Sequence, residues 1–147
     1  MKLVGIDPGK HTGLAVWDTV TQTFDCIETM QIHEALVFIY DRVMRYQWHG
    51  PNNGCRVYFE DARKRGWLPP EANRSEYRGK LMGAGSVKRD SVIWQDALTD
   101  WGIPFEMVPP RPGATKWDAD TFVRVTGWKG RTSNHARDAA LLVFQRT

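Results

Sequence analysis

Cysteine is scarce in this chain. Two residues, Cys26 and Cys55, occur in 147, and they lack metal-type spacing; both fall in apparent strands and read as buried thiols in a reducing cytosol. With four histidines besides, there is no Cys/His pattern for structural zinc. No apolar run approaches membrane-spanning length and no signal peptide is visible, so a cytoplasmic location away from any membrane is expected. Repeats, low-complexity tracts and linkers are missing as well. Nor does either charge dominate: 20 Lys and Arg against 17 Asp and Glu leave +3, with a pI near 9.0. That mildly basic balance permits a nucleic-acid partner without requiring one.

A length of 147 residues with 41% hydrophobic content fits a single domain over 1–147 with a proper core. Strands are predicted at 2–7, 13–18, 23–29, 55–60 and 104–108. Ile32, Leu36, Ile39, Val43 and Tyr46 recur at helical steps and predict a helix over 31–48. Val87, Trp94, Leu98 and Trp101 predict a second over 86–101, ended by Gly102. A third is expected over 116–125. A last helix starts near Ser133, a good N-cap, and runs on through Leu142 and Val143. Residues 61–82 are polar, basic and broken by Pro69 and Pro70, and read as a loop. The order β-β-β-α-β-α-β-α-α predicts an α/β domain. Its five-stranded mixed sheet would be a three-strand meander followed by crossover strands, with helices on both faces.

Three segments carry candidate chemistry. The opening, MKLVGIDPGKHTG, reads as a short buried strand ending on Asp7, then a Pro-Gly turn and a return strand. Such an arrangement presents one carboxylate rigidly at a sheet rim, where it holds a metal ion or a phosphate-bound metal, or merely starts a turn. Glu60 ends the run CRVYFE at 55–60, on a stiff element that reaches the Asp7 rim if the two strands are neighbours. Asp61 follows it. In NHARDAALLVF at 134–144, His135 and Asp138 stand one helical turn apart. The competing reading is a solvated His135 and an Asp138 that complements the helix dipole. Together Asp7, Glu60, His135 and Asp138 suit Mg2+ or Mn2+. Two ions about 4 Å apart would activate water and stabilise the leaving oxygen in phosphodiester cleavage.

GIDPGKHTG at 5–13, the strand ending in Glu60 and the HARDA segment of the last helix, in this order, resemble the RuvC-type Holliday-junction resolvases of the RNase H-like nuclease superfamily. The resemblance implies an RNase H-like sheet and a catalytic, metal-binding set of Asp7, Glu60, His135 and Asp138 with two Mg2+ or Mn2+ ions. It also implies a homodimer that nicks opposed strands of a four-way DNA junction, leaving 5′-phosphate and 3′-hydroxyl ends. The segment Ala62-Arg63-Lys64-Arg65-Gly66-Trp67 departs from the family pattern. A short, Trp-rich form suits a bacteriophage or mobile-element enzyme that debranches DNA.

The cations can be read independently. Lys10, His11, Arg63, Lys64, Arg65, Arg74, Arg78, Lys80, Lys88 and Arg89 would form a cationic rim for a phosphate backbone, and Trp67 or Tyr77 could stack on an unpaired base. Arg111, Lys116, Lys129, Arg131 and Arg137 form a second basic group near the last acidic motif, Lys116 being its candidate phosphate contact. For each of these residues an ordinary solvated position is the competing reading. Two other classes stay open. A non-catalytic branched-DNA-binding protein would keep the basic rim without convergent carboxylates. An actin-like or sugar-kinase-like ATP-binding domain shares the strand-Asp-Gly-turn opening but normally needs two such domains.

Overall fold

The computed structural model describes residues 1–45, 54–64, 74–110 and 117–147, with the side chains at 44–45 and 74–84 left aside. Five strands, β1 (Lys2–Asp7), β2 (His11–Asp18), β3 (Thr23–Gln31), β4 (Cys55–Glu60) and β5 (Phe105–Val108), form one sheet in the order β3-β2-β1-β4-β5. The first three run antiparallel; β4 runs parallel to both β1 and β5. Among the described residues there are four α-helices, α1 (Ile32–Arg45), α2 (Arg74–Asp100), α3 (Ala119–Thr126) and α4 (Asn134–Val143), and a 3-10 turn at Ala62–Lys64. The layered α/β architecture, the meander and the crossover strands follow the sequence expectation. No described helix is long and apolar enough to cross a membrane.

The central strands read as unbroken apolar runs because both of their faces are covered. On one face Val4, Ile6, Leu14, Val16, Val57 and Phe59 pack against Ala35, Ile39 and Val43 of α1 and Trp94 and Leu98 of α2. On the other, Leu3, Ala15, Trp17 and Tyr58 meet Phe122 of α3 and Ala136, Ala139 and Val143 of α4. Cys26 and Cys55 belong to the first of these layers. Both are free thiols, and burial pushes each up to about 12. At the start of β1, Lys2 Nζ lies 2.6 Å from Asp18 Oδ2 and 2.5 Å from Asp25 Oδ2, tying three strands together.

Helix α4 lies unusually close to the sheet. A Cβ on Gly5 would stand 2.0 Å from the Ala139 carbonyl oxygen, and one on Gly13 would stand 2.0 Å from that of His135. Both glycines are therefore required by backbone contact. Small residues at Ala136, Ala139 and Ala140, all buried, complete the fit from the helix side.

Several boundaries differ from expectation, four of them by more than a residue. Strand β2 begins at His11 and β3 reaches Gln31, because His11 and Gln31 are the last pair of their ladder. Thr12 is buried and donates to the Gly9 carbonyl at 2.7 Å, closing the turn after β1. Helix α3 starts at Ala119 behind an Asp118 cap that accepts from the Thr121 N–H at 2.7 Å. The largest correction is α2, which begins at Arg74 where a loop was expected. Gly79, Gly83 and Gly85 weaken the helical signal of its first half, and the apolar stripe is confined to the second. Positions 46–48 of the first predicted helix fall outside the described residues.

Replacing Gly5 by Ala should force α4 off the sheet and cost about 1–3 kcal/mol, the usual range for overpacking. Urea unfolding of the variant checks this; an unchanged midpoint would disprove the contact.

Candidate active site

Asp7 and Glu60 are brought together by strand register. Strands β1 and β4 are parallel neighbours with Ile6 opposite Phe59, so the next residue on each is an acid. Alternation then decides the face. Gly5 lies under α4 and Tyr58 packs in the α4 layer; Asp7 and Glu60, two residues further on, share that side. Asp7 still pairs with Gly13 of β2, and Glu60 with Val108 of β5, so both backbones are held inside the sheet.

The other half of the site comes from α4. Ser133 caps the helix, its Oγ accepting from the Ala136 N–H at 3.1 Å. The same hydroxyl lies 2.5 Å from Thr29 Oγ1 of β3. With this end fixed and the helix seated on Gly13, His135 Nδ1 comes to 2.7 Å from Asp7 Oδ2. The Asp7 side chain is 16% exposed and that of His135 53%, so the pair spans the boundary between the sheet end and solvent. Asp138 follows one turn later, half-buried, directly before the Ala139 carbonyl that meets Gly5.

The structure thus joins the first and last motifs by direct contact and puts Glu60 at the adjacent strand end. Among the described residues, no group of three or more His, Cys, Asp and Glu side chains is placed to hold a metal ion.

The cationic candidates divide sharply. Lys10 and His11 are exposed at the β1–β2 turn, and His11 Nδ1 is 3.4 Å from Gln31 Nε2. Lys88 and Arg89 are exposed on α2, Arg89 being 3.6 Å from the carboxylate of Asp90. Arg74, Arg78 and Lys80 belong to α2 by backbone alone. Arg65, Trp67 and Lys116 lie outside the described residues.

Arg63 and Lys64, both exposed, prove to be bonded to the protein's own groups. Asp61, 3% exposed, accepts from Arg63 Nε at 2.7 Å and from Nη2 at 3.0 Å, and also from the Arg63 N–H at 3.0 Å. Arg63 Nη2 further donates to Gln95 Oε1 of α2 at 2.7 Å and reaches Met107 Sδ of β5 at 3.2 Å. Lys64 Nζ donates to the Met107 carbonyl at 2.7 Å. The residue after Glu60 therefore locks the exit of β4 to β5 and α2. Arg137 is likewise buried. It donates to the carbonyls of Trp117 and Thr132 at 3.0 and 2.9 Å, and to Asn134 Oδ1. Sequence reading named Arg63, Lys64 and Arg137 only for their charge. The one available signal was the Asp61–Arg63 spacing, which suits a side chain returning on its neighbour's backbone.

No protein-family model matches this chain, and no curated protein matches it.

Burial alone would raise the Asp61 carboxyl; the Arg63 hydrogen bonds outweigh it and hold the group below the ordinary carboxylate value. A carboxylate depressed in the folded state contributes stability that is fully present above its unfolded pKa, about 3.9. That contribution is lost as pH falls through the lower folded value. Arg63→Ala should destabilise the fold by about 2 kcal/mol at neutral pH, because Asp61 stays buried without its partner. The gap to wild type should narrow as acid neutralises Asp61. Urea unfolding across a pH series measures both, and a pH-independent gap would rule the clamp out.

Proposed function

We propose that this chain is a metal-dependent endodeoxyribonuclease of RNase H-like architecture that cuts four-way or related branched DNA. The observation that carries the reading is the 2.7 Å contact between Asp7 and His135. It joins two motifs 128 positions apart at the strand end where Glu60 also emerges. The strand order, with an acid at the adjacent ends of two parallel central strands, supports the same reading. A junction has two opposed strands to cut, which suits a symmetric homodimer with one site per copy.

The donor set fits Mg2+ or Mn2+ in type: three carboxylates and an imidazole, all oxygen or nitrogen ligands. Asp7, Glu60 and Asp138 would hold the ion or ions, with His135 beside them. Bound there, a divalent ion supplies charge neutralisation and a more acidic water. The remaining work belongs to the chain. Asp7 fixes the imidazole through Nδ1, which leaves Nε2 as the ring atom able to take a proton. In hydrolysis the water oxygen bonds to phosphorus, its proton passes to His135 Nε2, and the P–O3′ bond breaks. The 3′ oxygen leaves as a hydroxyl with a proton from solvent, and the phosphate stays on the 5′ end. The rigid β1 rim holds Asp7 in place throughout.

One rival is a branched-DNA-binding protein without chemistry. An end-labelled synthetic four-way junction separates the two, incubated with Mg2+, with Mn2+ or with chelator. Paired, metal-dependent nicks are expected. Asp7→Asn should lower cleavage by more than about a hundredfold, the scale of losing a positioned acid–base group, with junction binding kept. Full activity in that variant would sink the assignment of the site, and binding without metal-dependent cutting would establish the rival.

A further inference from the structure

Three residues lie in one row across the antiparallel half of the sheet. Asp7 of β1 pairs with Gly13 of β2, and Gly13 pairs with Thr29 of β3. Neighbouring strands stand about 4.8 Å apart, so the row spans about 10 Å. Strand β3 is an edge of the sheet. Thr29 is exposed on it, and nothing in the sequence marks it out.

The first turn of α4 lies along this row. At one end Ser133 Oγ is 2.5 Å from Thr29 Oγ1. In the middle the His135 carbonyl covers Gly13, where a Cβ would stand 2.0 Å from its oxygen. At the other end His135 Nδ1 is 2.7 Å from Asp7 Oδ2. Two side-chain hydrogen bonds thus tie the turn to the sheet, one on each side of a bare backbone contact.

The carbonyl contacts at Gly5 and Gly13 define a line along α4 and leave roll about that line to be set from the sides. Arg137 ties the turn to the Trp117 carbonyl, outside the sheet. On the sheet itself the β3 side is held by Thr29. The His135 side chain is 53% exposed, so packing does little to hold its ring, whose place follows from its backbone and from Asp7. Ser133 can serve two partners, because a hydroxyl carries one proton and two lone pairs. It accepts from the Ala136 N–H at 3.1 Å as the cap and still meets Thr29. The cap is the joint through which the edge strand reaches the helix.

We infer that Thr29 is a positioning residue: through the Ser133 cap it sets the roll of α4, and with it the approach of His135 to Asp7. The inference rests on the nuclease reading and adds to that site a residue that touches no reacting group. Without the Thr29 hydroxyl the cap and the helix remain, and the imidazole drifts from Asp7. A small misplacement of a reacting group falls on the chemical step, so kcat carries the effect and KM does not.

The test compares wild type with Thr29→Val, which keeps the branched shape and removes the hydroxyl, and with Thr29→Ser, which restores it. Ser133→Ala and the double variant Thr29→Val/Ser133→Ala complete a cycle, and Thr23→Val, at the other end of β3, is the control. Two readouts are taken on the full chain. One is the set of His135 ring NMR signals, assigned with His135→Gln, in chelator at one fixed pH. The other is kcat and KM for cutting the four-way junction in Mg2+. Thr29→Val should move the ring signals and lower kcat by about tenfold, with KM within about twofold, the scale of one hydroxyl hydrogen bond acting on the chemical step. Thr29→Ser and Thr23→Val should match wild type. In the Ser133→Ala background Thr29→Val should add nothing, because the joint is already broken. Unmoved ring signals in Thr29→Val overturn the inference. So does a Thr29→Ser variant that behaves as Thr29→Val, or a full further loss in the double variant. Moved signals with unchanged kcat overturn the bearing of Thr29 on cleavage. If wild type leaves the junction uncut, the nuclease reading falls, and the ring signals alone decide whether Thr29 positions His135.

Discussion

The seating of α4 directly on the backbone of β1 and β2 is the constraint on which the rest depends. With no side-chain layer at Gly5 and Gly13, the helix carbonyls of Ala139 and His135 meet the sheet itself. Those two carbonyls are one turn apart, so the helix is fixed in height and in direction. Residues flanking the contact line then emerge at the level of the strand ends rather than above them. That is why a histidine near the start of the last helix reaches an aspartate at the end of the first strand.

A second constraint comes from charge used internally. Asp61 and Arg63 fix the exit of β4, and Arg137 fixes the approach to α4. Asp61 stands next to Glu60 and Arg137 next to Asp138. Buried charged groups are tolerated only when paired and hydrogen-bonded, and the two that are buried, Asp61 and Arg137, meet that condition through several donors or acceptors each.

Much of this was legible in the sequence, for identifiable reasons. The apolar runs at 2–7 and 55–60 gave the central strands because burial on both faces leaves no polar break. Ser133 marked a helix start because a hydroxyl at that position satisfies an otherwise orphaned N–H. The parallel pairing that aligns Asp7 with Glu60 was expected only conditionally, since register depends on the whole sheet. Two things were hidden. The first half of α2 carries glycines and no apolar stripe. The roles of Arg63, Lys64 and Arg137 depend on partners distant in sequence, such as Gln95, Met107 and Trp117; their charge suggested solvent and ligand, and their surroundings gave them neighbours instead.

The two cysteines have a consequence of a different kind. A thiol reacts as its thiolate, and with both groups pushed up to about 12 by burial almost none of that form exists at neutral pH. Both thiols are therefore slow to alkylate at neutral pH, the buried Cys55 more so than the half-buried Cys26. A cysteine introduced on the exposed rim would be labelled ahead of them, so a spin or fluorescent reporter could be set beside Asp7 and His135 with Cys26 and Cys55 left in place.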